Sequence, residues 1–159
     1  AMGNGDFRKI PNGTGGLEER MSVLWHHGVR SGRLTPSAFV GATSTNAARI
    51  FNIYPKKGAI ALGSDADIVV WDPNATRTLS AKTHHSRNDF NIFEGMEVTG
   101  GAAVTMSRGT VLWQSGNLTP RQGHGRYINR PCFGDATRSQ AIRNTFTAPT
   151  AVERQEFVP

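Results

Sequence analysis

Histidine pairs and carboxylate pairs are the first residues to test for chemistry. The five histidines are His26, His27, His84, His85 and His124. A metal site on a helix needs ligands three or four residues apart, which places both on one face. His26 and His27 are adjacent, so on a helix they point in different directions. His84-His85 fails the corresponding strand test, because same-face positions on a strand are two apart. His124 lies in the turn-forming run Gln122-Gly123-His124-Gly125. None of the five is assigned as a ligand. Asp65 and Asp67 share a strand face and Asp72 follows; they read as strand-ending carboxylates that face water. The single cysteine, Cys132, has Pro131 and Phe133 as neighbours and no adjacent histidine to activate its thiol, so it reads as structural.

The run Asn12-Gly13-Thr14-Gly15-Gly16 precedes a predicted helix. Backbone N–H groups at a helix start can hold an anion. This run lacks the Lys-Ser/Thr of a phosphate loop, and Glu18-Glu19 places negative charge where a phosphate would sit. Two readings stay open: a structural loop, or a loop whose exposed backbone N–H and C=O groups line a small-molecule pocket.

The elements that must position these residues follow from periodicity. Residues 1–16 read as an irregular, glycine-rich loop. Residues 17–31 read as a helix, with Leu17, Met21, Leu24, Trp25 and Gly28 on one face, Glu18 and Glu19 in its first turn and Gly32 as the stop. Thr35-Pro36 opens a second helix through a capping hydroxyl and a proline at the first helical position. A fresh cap at Thr43-Ser44-Thr45 predicts a separate short helix, Asn46 to Phe51. From Lys57 the signals become strands: Ala59 to Leu62 with a Gly63-Ser64 hairpin, Ala66 to Asp72 ended by Pro73, Thr76 to Ser80, Met96 to Thr99, Ala102 to Ser107, and Thr110 to Gln114 after an Arg108-Gly109 turn. Residues 82–95 read as irregular and polar. The tail from Leu118 is basic, turn-rich and poor in periodicity. About six short strands follow helices that have no obvious strands of their own to pack on.

Composition sets the outer bounds. The chain has 159 residues, 37% hydrophobic and 19% charged, with 18 glycines and 8 prolines, the profile of a turn-rich globular domain. Formal net charge is +6 (18 Lys and Arg against 12 Asp and Glu). The basic residues are scattered and form no block of five or six, which argues against a nucleic-acid partner. No apolar run approaches the ~18 residues of a membrane span, so no membrane partner is expected. A lone cysteine and the lack of a signal-peptide pattern at the N-terminus lead to an expectation of a cytoplasmic protein.

Several segments are specific enough to carry a family resemblance. Residues 6–21, DFRKIPNGTGGLEERM, resemble the stretch after the last barrel strand of dihydropyrimidinases and hydantoinases. The likeness continues through TSTNAARIFNIYP at 43–55, KGAIALGSDADIVVWDP at 57–73, Phe93-Glu94-Gly95, Gly109-Thr110-Val111 and Gly123-His124-Gly125-Arg126-Tyr127. The Lys57-Gly58 to Val69 stretch is shared across the wider amidohydrolase superfamily, whereas Lys9-Ile10-Pro11-Asn12-Gly13 with Leu17 to Met21 is narrower.

The resemblance implies a fold: an α+β fragment comprising the last loop and helices of a (β/α)8 TIM-type barrel, then part of a composite β-sandwich and a C-terminal tail. The corresponding divisions are 1–56, 57–117 and 118–159, with the tail making oligomer contacts. It implies a metal-dependent cyclic amidase acting on dihydropyrimidines or hydantoins, with two zinc ions bridged by a carbamylated lysine. Those ligands would precede Ala1, so the expectation is a C-terminal piece of a longer polypeptide, with no catalytic residue, metal or turnover of its own. The substrate-binding position that carries over is Asn12, through its backbone carbonyl, with Gly13 shaping the turn. The implied assembly is a homotetramer. The competing reading is a non-catalytic scaffold of the collapsin-response-mediator type.

Overall fold

A computed structural model of the chain describes residues 5–132 and 134–153. After a 3-10 turn at Phe7–Lys9, two helical rods precede a sheet. The first, α1 (20–29), is α-helical over Arg20–Leu24 and widens to π-helical turns over Trp25–Val29. Gly32 ends the excursion with φ +78°, the left-handed backbone that glycine adopts without steric cost. The second, α2 (36–50), starts where the sequence predicts. The Thr35 hydroxyl accepts the Ala38 N–H at 3.1 Å and Pro36 occupies the first turn.

The fresh cap at Thr43-Ser44-Thr45 is not formed. Residues 41–45 continue α2 as π-helical turns, and Asn46–Ile50 completes the rod. The hydroxyls that looked like caps bond elsewhere. Thr43 donates to the Phe39 carbonyl within the helix, and Thr45 donates to the Gly58 carbonyl at 2.9 Å, tying α2 to the chain that follows.

Four antiparallel strands form one sheet in sequence order among the described residues: β1 (Ile68–Thr78), β2 (Glu97–Ser107), β3 (Thr110–Gln114) and β4 (Asn117–Leu118). This corrects the six-strand reading, which also had no strand at β4. Ala59 to Leu62 is not a strand; a turn closes there by Ser64 N–H to Ala61 C=O and Asp65 N–H to Lys56 C=O. Pro73 does not end its strand. Asp72 pairs with Gly101 and Thr76 with Thr99, so residues 73–75 bulge out opposite Gly100. A bulge is where a strand tolerates a residue with no N–H to donate. The predicted strands on either side of that point are therefore single long ones. The Arg108-Gly109 turn does form, with φ +50° and +77°, as a tight two-residue hairpin requires.

The helices do have strands of their own to pack on. Trp25 of α1 meets Phe39 edge-on at 5.1 Å and Trp71 of β1 at 5.5 Å, and Phe39 lies 5.7 Å from Trp71. Such aromatic pairs contribute roughly 1 kcal/mol each beyond the area they bury. Phe39 and Val98 are buried, as are Ala48 and Leu79. The tail is also more ordered than its composition indicates. It contains helix α3 (Asp135–Phe146), reached by a segment whose Pro131 carbonyl accepts from Asn52 Nδ2 at 2.7 Å. His124 Nε2 lies 2.8 Å from the Ser107 carbonyl, fastening the tail's first part to the end of β2.

Candidate functional site

The Asn12 loop lies on the surface. Asn12 and Gly13 are exposed, and no described residue hydrogen-bonds to either. A side chain built on Gly13 would meet open space. Two residues further on, the chain enters a cleft of about 430 Å³ between residues 14–19 and the 84–91 loop. Asn12 and Gly13 do not line this cleft.

Glu18 and Glu19 hold the cleft together. The sequence places them in the first turn of α1, as partners of the helix dipole. In the structure the helix begins at Arg20, and neither carboxylate caps it. Both turn to the 84–91 loop instead. Glu18 accepts the backbone N–H of His85 at 2.7 Å and faces its Nδ1 at 3.0 Å. Glu19, only 4% exposed, accepts from Asn91 Nδ2 at 2.8 Å, with His84 Nδ1 at 3.7 Å. Asn91 uses its other end to accept the Phe93 N–H at 2.9 Å, and His84 Nε2 lies 2.9 Å from the Asn88 carbonyl. Burial pushes the Glu18 carboxyl up, but the hydrogen bonds from His85 and the nearby charges of His85 and Arg77 outweigh it. The group is held below the ordinary carboxylate range.

His84-His85 thus works as a pair after all, with the two rings meeting two different carboxylates rather than one metal. Sequence spacing cannot show this, because the partners lie 65 and 67 residues away. His26 also has a structural partner: its Nδ1 accepts the Thr99 N–H of β2 at 3.1 Å. Among the described residues, no group of three or more His, Cys, Asp or Glu side chains is gathered as a metal centre requires.

A second ionic cluster lies before β1. Asp65 and Asp67 do not simply face water. Asp65 pairs with Lys56 at 2.6 Å and Lys57 at 3.0 Å, and Lys57 also contacts Asp67. Asp67 accepts the Arg108 N–H at 2.8 Å, which locks the segment before β1 onto the β2–β3 turn.

An exposed glycine-rich loop, two helical rods and a bulged antiparallel sheet joined by carboxylate anchors correspond to a known family. Residues 10–112 match the Amidohydrolase family, and the chain belongs to that family. Within it, the resemblance is to the dihydropyrimidinase and hydantoinase branch. The chain is 58% identical over 158 residues to the dihydropyrimidinase of Rattus norvegicus, covering 99% of this chain and 30% of that protein. A solved D-hydantoinase from a Bacillus species, AR9, superposes with a TM-score of 0.77 at 48% identity, over 81% of this chain and 28% of that one. Identity to the human dihydropyrimidinase-related protein 5 is 44% over 147 residues, 92% of this chain and 26% of that protein. The chain therefore spans about 30% of the length of the curated relatives it matches.

Proposed function

We propose that this chain is the substrate-loop and sheet portion of a metal-dependent cyclic amidase that opens the ring of dihydropyrimidines or hydantoins. The observation that carries this reading is the 58% identity to a dihydropyrimidinase across nearly the whole chain, against 44% to the related protein. Asn12 presents its backbone carbonyl to the ring N–H and Gly13 shapes the turn. Their exposure, without hydrogen-bond partners among the described residues, supports a loop kept for a ligand. Two divalent metals, zinc with a carbamylated lysine, are held by residues other than those described, on the rest of a TIM-type barrel in a cytoplasmic tetramer.

The test compares two samples. A whole protein carrying this segment, loaded with zinc, is expected to hydrolyse dihydrouracil or hydantoin, read by loss of ring absorbance. The 159-residue chain alone is expected to show no turnover and no stoichiometric zinc by metal analysis. Failure of the metal-loaded whole protein on both substrates would overturn the enzyme reading in favour of a scaffold. Two zinc ions bound tightly by the chain alone would overturn the assignment of the metals elsewhere.

A further inference from the structure

We propose that Glu18, Glu19, His84, His85 and Asn91 form a positioning clamp that sets the geometry of the Asn12 loop; the inference rests on the reading of that loop as substrate-binding. Four observations converge on it. First, the two glutamates end the loop, and both reach across to one neighbouring segment instead of capping their own helix. Second, the Glu19 and His84 side chains are 6% and 7% exposed, so the contact is closed to water and its geometry is restricted. Third, Asn91 is used at both ends, holding Glu19 through its amide nitrogen and its own loop through its oxygen. Fourth, Gly15 passes so close to Asn88 that an added Cβ would lie 2.4 Å from the amide nitrogen, so the loop lies directly against the segment that clamps it.

A backbone carbonyl cannot be aimed by its own side chain. Its direction is set by where the chain is fixed on either side, and a small misplacement of a binding group weakens recognition sharply. The 84–91 segment provides that fixation on the C-terminal side of Asn12. These five are positioning residues: they fasten the end of the loop to the 84–91 segment, and the loop is the part that meets the substrate.

The decisive substitution is Asn91→Asp. It conserves volume and sets a second carboxylate against buried Glu19. Loop placement can be read in the 159-residue chain from the distance between nitroxides on Gly13→Cys and Gln114→Cys, in a Cys132→Ser background diluted with unlabelled chain. The unsubstituted clamp is expected to give a narrow distribution, and Asn91→Asp one at least about twofold broader. Glu19→Gln, which keeps an acceptor for Asn91 but removes the charge facing His84, is expected to fall between them. In the whole protein, Asn91→Asp is expected to raise KM for dihydrouracil about tenfold, with kcat within about threefold and metal content unchanged. An unchanged distance distribution overturns the clamp, as does an unsubstituted chain already as broad as the variant. A fall in kcat with unchanged KM overturns its role in aiming the loop. If the unsubstituted whole protein opens no cyclic amide, the functional reading fails, while the distance measurement still decides whether the clamp holds the loop.

Discussion

Gly100 shows how one residue couples the bulge to the helix. It sits opposite the bulged residues 73–75 with φ +103°, and a Cβ placed on it would lie 2.1 Å from Trp25 Cδ1 and 2.7 Å from Cγ. Those atoms belong to a rigid ring held by Phe39 and Trp71, so the ring cannot swing away as a flexible side-chain end would. Backbone strain and overpacking each cost roughly 1–3 kcal/mol. Gly100→Ala is therefore expected to destabilise the chain by about 3 kcal/mol, seen as a lower urea midpoint for loss of the near-ultraviolet signal of the tryptophans. Gly125→Ala makes the control: its φ is not in the left-handed range and its Cβ would meet open space, so a change within about 0.5 kcal/mol is expected. Equal midpoints for the two variants would show that Trp25 moves aside freely.

At the scale of elements, the Lys57–Asp65–Asp67 cluster fixes the irregular segment before β1. Hydrogen bonds from Lys56 and Lys57 hold the Asp65 carboxyl below the ordinary range. For Asp67, burial pushes the carboxyl up, but the bonds from Lys57 and the Arg108 N–H outweigh it and the net shift is downward. A carboxyl whose folded pKa is depressed contributes stability above its unfolded pKa and loses it as pH falls through the folded value. Burial lowers the Lys57 ammonium, its bonds to Asp67 and Asp65 raise it further, and the net shift is upward, so its contribution is lost only as pH rises past that raised value. The cluster therefore supports the fold through the neutral range. Asp67→Asn is expected to lower stability modestly at neutral pH, because the groups are partly exposed, and to flatten the acid limb of the stability–pH curve. An acid limb identical to that of the unsubstituted chain would show that Asp67 carries none of it.

What could be read from the sequence follows the same division between local and distant causes. Thr35-Pro36, Gly32 and Arg108-Gly109 act within three or four residues, and each did in the structure what its chemistry predicts. Ala59 to Leu62 has the composition of a strand but no partner strand, and Leu62 projects fully into solvent. Pro73 reads as a strand end until Gly100, on another strand, is seen to leave room for a bulge. The tail helix has only Ile142 and Phe146 as large apolar residues, both exposed, so no amphipathic period marks it. In the site, Asn12 is an expectation from family resemblance, and it lies outside the cleft. Glu18, Glu19, His84, His85 and Asn91 were missed as a group because their partnership exists only after the two loops meet.

The whole molecule exposes more surface than a self-contained protein of its mass. Its accessible area is 12644 Å² at 17.2 kDa, whereas a compact monomer of that mass exposes roughly 7,800 Å². The excess includes large apolar side chains: Ile60, Leu62, Ile50 and Phe51 are all exposed along the α2 end and the segment that follows it. An apolar cleft of about 480 Å³, lined by Trp71, Trp113, Met21 and Leu118, opens between α1 and the sheet. Each 100 Å² of apolar area withdrawn from water stabilises an assembly by roughly 2.5 kcal/mol before the entropy of association is subtracted. Surfaces of this kind are covered in a stable protein, either by further chain or by other subunits. The 159-residue chain on its own is therefore expected to self-associate, giving a mass above 17.2 kDa in light scattering that rises with concentration. A whole protein carrying the segment is expected to protect these residues from hydrogen exchange and surface labelling. A chain that stays monodisperse at its monomer mass across a hundredfold concentration range would mean that this excess surface is tolerated in water, and would remove the physical argument for a larger assembly.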